Sequence, residues 1–134
     1  MTRLGVTRGH PGPDPHASST VVELDGDLGV AAAHALREGL ISVLRPGTRL
    51  VAIDLSRVRS CDLAGLAVLI GTQRRAREEG IVVCLVAPSP PVAELLHSTG
   101  LERCLTIYPD LPGVLVWERG ESARAPATQQ CLVG

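Results

Sequence analysis

Two short apolar runs constrain this chain more than any other feature. Arg49–Leu55 and Ile81–Ala87 are almost unbroken stretches of Val, Ile, Leu and Ala, too short to be buried helices. Such runs fit strands covered on both faces, the situation of a parallel sheet. Parallel neighbours need a crossover connection, usually a helix. The segment between the runs supplies one. Leu63–Glu79 places Leu66, Leu69, Ile70 and Gln73 on one stripe, and Gly80 is positioned to close the helix in a left-handed conformation.

The same alternation continues in both directions. Upstream, Thr20–Leu24 is short and β-branched and reads as a strand, with Gly26–Gly29 as a turn. Val30–Leu44 has helical spacing, with Ala33, Leu36, Leu40, Val43 and Leu44 on one face, and Pro46-Gly47 stops it. Downstream, Ser89 suits an N-cap and Pro90 or Pro91 the first turn of a helix whose face is Val92, Leu95 and Leu96 and whose end is Gly100. Cys104–Tyr108 reads as a last strand and Asp110–Trp117 as a final short helix. The expected fold class is therefore α/β: a single domain with a mixed, mainly parallel sheet of four to five strands, right-handed crossovers, and three to four helices packed against it. Its expected limits are residues 20–118. Residues 1–19 form an N-terminal segment with an edge strand at Arg3–Arg8 and a Pro-rich loop, and residues 119–134 a flexible C-terminal tail.

Composition narrows the function. With no Phe, one Trp and one Tyr, the core has to be aliphatic. The formal net charge of −1 gives no pull toward nucleic acid or an anionic membrane. The apolar runs fall far short of the roughly 20 residues of a membrane-spanning helix. Met1–His10 lacks the apolar core of a signal peptide, so a cytoplasmic location is expected. The four cysteines, Cys61, Cys84, Cys104 and Cys131, form no close pair, which argues against a zinc or dithiol site. Cys84 and Cys104 read as small buried apolar residues in a reducing compartment.

The stretch with most chemical interest runs from Val51 to Leu66. A buried strand is expected to leave the sheet at Asp54–Leu55 and, after a short connection, to enter a helix near Asp62–Leu63. Ligands and partners of open α/β sheets meet the chain beyond the carboxyl ends of the strands, where this connection lies. Ser60–Leu66 is thus the expected working surface. Asp62 has two compatible readings: an N-cap, worth about 1 kcal/mol, or a recognition carboxylate.

Catalysis is not expected. The chain has no Lys, which excludes a receiver-type phosphorylation pocket and a Walker phosphate loop. There is no Gly-x-Ser-x-Gly elbow, and His10, His16, His34 and His97 are too scattered to activate a Ser or Cys nucleophile. Arg74, Arg75 and Arg77 read as a solvated helix end whose charge complements the dipole, or as an anion-binding run.

Taken together, Asp54–Gly65, Leu66–Ile70, Val82–Ala87, Ser89-Pro90 and Ser98-Thr99-Gly100-Leu101 resemble, in order and spacing, the STAS domain of anti-sigma factor antagonists. The resemblance covers residues 20–118. It implies a protein that binds an anti-sigma factor which is also a serine kinase of the GHKL type, with no cofactor and no metal. In that family the kinase phosphorylates a Ser or Thr directly after the Asp of an Asp-Ser-Ser-Gly-Leu motif, placing about −1.5 to −2 charges at the interface. This chain reads Asp62-Leu63-Ala64-Gly65-Leu66, so its usual acceptor position is Leu63 and cannot take phosphate. The family turn Gly-Glu-Leu-Asp is here Gly26-Asp27-Leu28-Gly29, which keeps an acid at Asp27 and loses the last one. The partner surface implied by the resemblance comprises Asp27, Ser60, Asp62, Leu63, Ala64, Gly65 and Leu66. Ser60 stands where the family has an apolar residue and is expected to point inward. Ser56, Ser60 and Thr72 are the alternative acceptors. A scaffold role in another bacterial signalling complex is the alternative function.

Overall fold

The structure, a computed structural model, describes residues 3–9 and 18–109. Its elements are β1 (Arg3–Gly9), β2 (Ser18–Leu28), α1 (Val30–Ser42), β3 (Thr48–Cys61), α2 (Leu63–Glu78), β4 (Val82–Val86), α3 (Pro90–Thr99), a 3₁₀ turn at Leu101–Cys104, and β5 (Ile107–Tyr108). The five strands form one sheet in the order β1-β2-β3-β4-β5. β1 is an edge strand antiparallel to β2, and every other pair is parallel. The expected mixed, mainly parallel α/β sheet is what forms, with three α-helices. The Pro-rich loop, the helix expected at 110–117 and the tail at 119–134 lie outside the described residues.

The helices share one face of the sheet. Leu36 and Leu40 of α1, Leu66, Leu69 and Ala76 of α2, and Val92 and Leu96 of α3 join Val22, Leu24, Val51, Ile53, Leu55, Val83 and Leu85 in one buried aliphatic cluster. Each such Leu or Ile contributes about 1.5–3 kcal/mol by leaving water, which is how a core without Phe is assembled. Alternate residues of the same strands, Leu50, Ala52, Cys84 and Val86, are buried on the other face. Both apolar runs are therefore double-sided strands, as their composition requires.

Several boundaries differ from expectation. β2 does not turn at Gly26 but continues to Leu28, with Val22, Leu24, Gly26 and Leu28 all buried at a period of two. β3 does not leave the sheet at Leu55 but runs to Cys61. The parallel pairing persists through Asp25↔Arg57, Gly26↔Val58 and Asp27↔Ser60, with register shifts between Glu23 and Asp25 and between Gly26 and Asp27. These irregularities change the phase of the side chains. Downstream, Gly100 takes a left-handed φ of 73° that ends α3, and the chain forms the 3₁₀ turn before a two-residue β5 instead of a strand from Cys104. Cys104 is half-buried and is not a free thiol, unlike Cys61 and Cys84, so the reading of Cys104 as a buried apolar filler is corrected. Ser89 occupies the N-cap of α3, but its hydroxyl makes no capping bond; its carbonyl accepts from Ala93 N at 2.8 Å.

Candidate partner-binding surface

The extension of β2 and β3 carries their ends to a common rim, where α1 and α2 both begin. β2 ends at Leu28 and α1 starts at Val30; β3 ends at Cys61 and α2 starts at Leu63. Because both helices return from parallel strands on one face, their N-termini point the same way.

Asp62 joins them. Its Oδ1 accepts from Ala64 N at 2.9 Å and Gly65 N at 3.1 Å, capping α2. Its Oδ2 accepts from Val30 N, the first residue of α1, at 3.2 Å. Backbone closes the same seam, with Asp62 N donating to Leu28 O at 3.1 Å. The N-cap reading of Asp62 is thus the geometry observed, extended to a second helix that the sequence did not reveal. α1 has no side-chain cap from its own N-cap residue, Gly29. The carboxylate of Asp62 supplies the missing acceptor from across the chain, and both helix dipoles converge on it.

Two glycines make this approach possible. A Cβ on Gly65 would lie 2.2 Å from Leu28 O, so any side chain there would force the helix off the strand. A Cβ on Gly29 would lie 3.1 Å from Asp62 Oδ2. The absent acid at position 29 and the bridging carboxylate at position 62 are two sides of one arrangement.

Around this seam the surface is mixed. Leu63 is 62 % exposed and Val30 is 76 % exposed, the most exposed large apolar side chains among the described residues. Val30 is a surface residue that the sequence reading missed; its signal was an apolar β-branched residue at the first helical position, directly after a glycine N-cap. Beside them Ser60 Oγ donates to Asp27 Oδ1 at 2.8 Å. Ser60 is exposed, not inward as expected, because the register shifts bring Val58 into the core and turn Ser60 out. That bond is the largest cause holding the Asp27 carboxyl below its ordinary range. Cys61 is half-buried, and its thiol is pushed up to about 11 by burial and by the neighbouring Asp62 charge. It is a protonated, poorly nucleophilic thiol at neutral pH.

The site residues separate into two groups. Asp27, Ser60, Asp62 and Leu63 are exposed together on the rim, with Ala64 partly covered, while Gly65 and Leu66 are buried beneath it and shape the helix start. Of the alternative acceptors, Thr72 is buried and donates to Val68 O at 2.8 Å, which withdraws it from any kinase. Ser56 is exposed, and its N–H donates to Asp54 Oδ1 at 2.9 Å. His34 and His97 are solvated, paired with Glu38 at 3.8 Å and Glu102 at 3.3 Å. Among the described residues no group of His, Cys, Asp and Glu could hold a metal ion, and no helix is long and apolar enough to cross a membrane.

Residues 13–111 match the model of a family described as "Mlab, STAS domain". The chain belongs to the STAS domain family. An anti-sigma factor antagonist from Mycobacterium paratuberculosis is similar in structure, with a TM-score of 0.68, 25% identity, and coverage of 87% of this chain and 93% of that one. SpoIIAA, a Bacillus cell fate determinant and anti-sigma factor antagonist, shares the fold in its unphosphorylated form at TM-score 0.68 and 17% identity, over 88% of this chain and 97% of its own. So does the STAS domain of a SulP transporter from Vibrio cholerae, at TM-score 0.61 and 21% identity, over 81% and 84%. No curated protein matches the chain.

Proposed function

We propose that this STAS domain works by binding and not by catalysis, as a cytoplasmic antagonist of an anti-sigma factor of the GHKL serine-kinase type, and that the usual phosphorylation switch is absent from it. What supports this reading most is Leu63: it follows Asp62 at the position where the resemblance implies the acceptor, is 62 % exposed, and lies at the start of α2 beside a carboxylate with three backbone donors. An exposed Leu beside Val30 gives the rim an apolar contact that no phosphate interrupts, flanked by Asp27 and Asp62 for orientation. The similarity to the mycobacterial antagonist supports the partner class.

The test uses the purified anti-sigma kinase from the same cell. Wild type is expected to bind and to remain unmodified with ATP; Leu63→Glu is expected to weaken binding by about tenfold or more, since it puts a charge in the apolar contact. A phosphate-affinity gel with stoichiometric modification of wild type, or an unchanged affinity of folded Leu63→Glu, overturns the reading.

A second reading, a scaffold in another bacterial signalling complex, is favoured by Ala64 and Gly29, which remove a second hydroxyl and an acid from the rim. Leu63→Ser separates the two. Phosphorylation of that variant by the anti-sigma kinase fits the antagonist; a variant that is neither bound nor modified fits the scaffold.

A further inference from the structure

α1 and α2 pack side by side and leave a groove of about 460 Å³ along their outer faces. Ile41, Ala67, Val68 and Gly71 line its apolar part. Arg37, Arg74 and Arg75 stand around it with a single carboxylate, Glu78, so three cations face one anion in a chain whose net charge is −1. Among the described residues none of these guanidiniums makes an ion pair. The groove is therefore basic and apolar at once, with no neutralising ion pair among the described residues.

Gly71 is the second observation. It sits inside α2, where glycine is a poor helix former, and a Cβ there would meet nothing within 4 Å. Packing within the chain does not require it. Its missing side chain leaves that part of the groove open down to the helix backbone. The third observation is continuity. Leu63, Ala67, Gly71 and Arg75 are exposed at four-residue steps along one stripe of α2. The stripe leads from the rim patch straight into the groove.

We propose that the α1–α2 groove is a docking channel for an acidic amphipathic helix of the protein partner, whose apolar side lies over Val68 and Gly71 and whose carboxylates meet Arg37, Arg74 and Arg75. This deepens the reading of the rim as a partner surface and rests on it for the identity of that partner. A helix of three turns spans about 16 Å, close to the reach of α2 from Ala67 to Glu78. Helix-in-groove recognition of this kind uses anchors at helical spacing, and guanidiniums provide bidentate partners for carboxylates.

The probe is a synthetic three-turn amphipathic helix with Leu and Ala on one side and Glu on its flanks, with a Lys-for-Glu version as its control. Each is titrated into the full ¹⁵N-labelled chain and followed amide by amide. The Glu peptide is expected to give saturable shifts at Ile41, Val68, Gly71 and Thr72, weakening by about tenfold in Arg74→Glu/Arg75→Glu and as salt rises; the Lys peptide is expected to give none. No saturable shift with the Glu peptide, equal binding of both peptides, or tighter binding of pyrophosphate at the same amides overturns the proposal, the last by making the groove a small-anion site. Arg103→Glu, a charge reversal on the 3₁₀ turn away from both the rim and the groove, is expected to leave peptide binding intact. A peptide that binds while the anti-sigma kinase does not would thus sink the antagonist reading alone, and the reverse would sink the groove alone.

Discussion

At the residue scale, Asp62 does more than a cap ordinarily does. One capping carboxylate is worth about 1 kcal/mol, but this one satisfies donors of two helices. Asp62→Ala is therefore expected to cost about 2 kcal/mol in urea unfolding, and Asp62→Asn less, since it keeps an oxygen acceptor on Ala64 and Gly65. Ser60 and Asp27 make a smaller prediction. The Asp27 carboxyl is lowered first by the Ser60 hydroxyl, so Ser60→Ala is expected to raise its titration midpoint, read from the carboxyl carbon by NMR. The sign follows from the direction. A depressed folded-state value stabilises the fold above the ordinary carboxylate range, and that contribution is lost as pH falls through the folded midpoint. The variant should leave stability between pH 6 and 8 insensitive to pH at this group.

At the element scale, α2 carries a conflict between stability and surface. Gly71 weakens the helix and has open space above it. Gly71→Ala is expected to stabilise the chain by about 0.5–1 kcal/mol, measured by denaturant midpoint, and to weaken the acidic peptide in the groove. Gain in both, or loss in stability, contradicts this account of the position. The strands explain what was legible and what was not. Val51, Ala52 and Ile53, and Val83, Cys84 and Leu85, declared a double-sided sheet because burial on both faces leaves an unbroken apolar run. The last turn of β3 was illegible because its register shifts break the alternation: Leu55 and Val58 are both buried, three positions apart, with exposed Ser56 and Arg57 between them. Gly26 likewise read as a turn, although it continues the buried phase of Val22 and Leu24. Asp62 was recognisable as the cap of α2 from local spacing. Its bond to Val30, remote in sequence, has no local signal, and neither does the outward turn of Ser60.

For the molecule as a whole, one aliphatic cluster includes residues from all three α-helices and from β2, β3 and β4. No described helix has a separate core, so unfolding is expected to be a single transition, with far-UV circular dichroism and amide exchange reporting the same midpoint. Two midpoints would mean that α3 or β1 forms an independent unit. The whole-molecule arrangement also explains why the α/β class was legible at once while the rim where the two helices start was only partly so. The class follows from what is buried, which hydrophobic patterning records directly. The surface follows from which strand ends meet, and Val30 and Leu63 become neighbours of one carboxylate only when β2 and β3 are paired to their tips.

The shared cap at Asp62 has a consequence for recognition kinetics. Two helix starts tied to one carboxylate cannot fray independently, so Val30 and Leu63 are held at a fixed spacing before any partner arrives. The ordering entropy of that contact is met during folding and not during docking. On the function proposed above, a rim set in this way would recognise by fit, with little rearrangement on encounter, and would discriminate against partners whose apolar contacts are spaced otherwise.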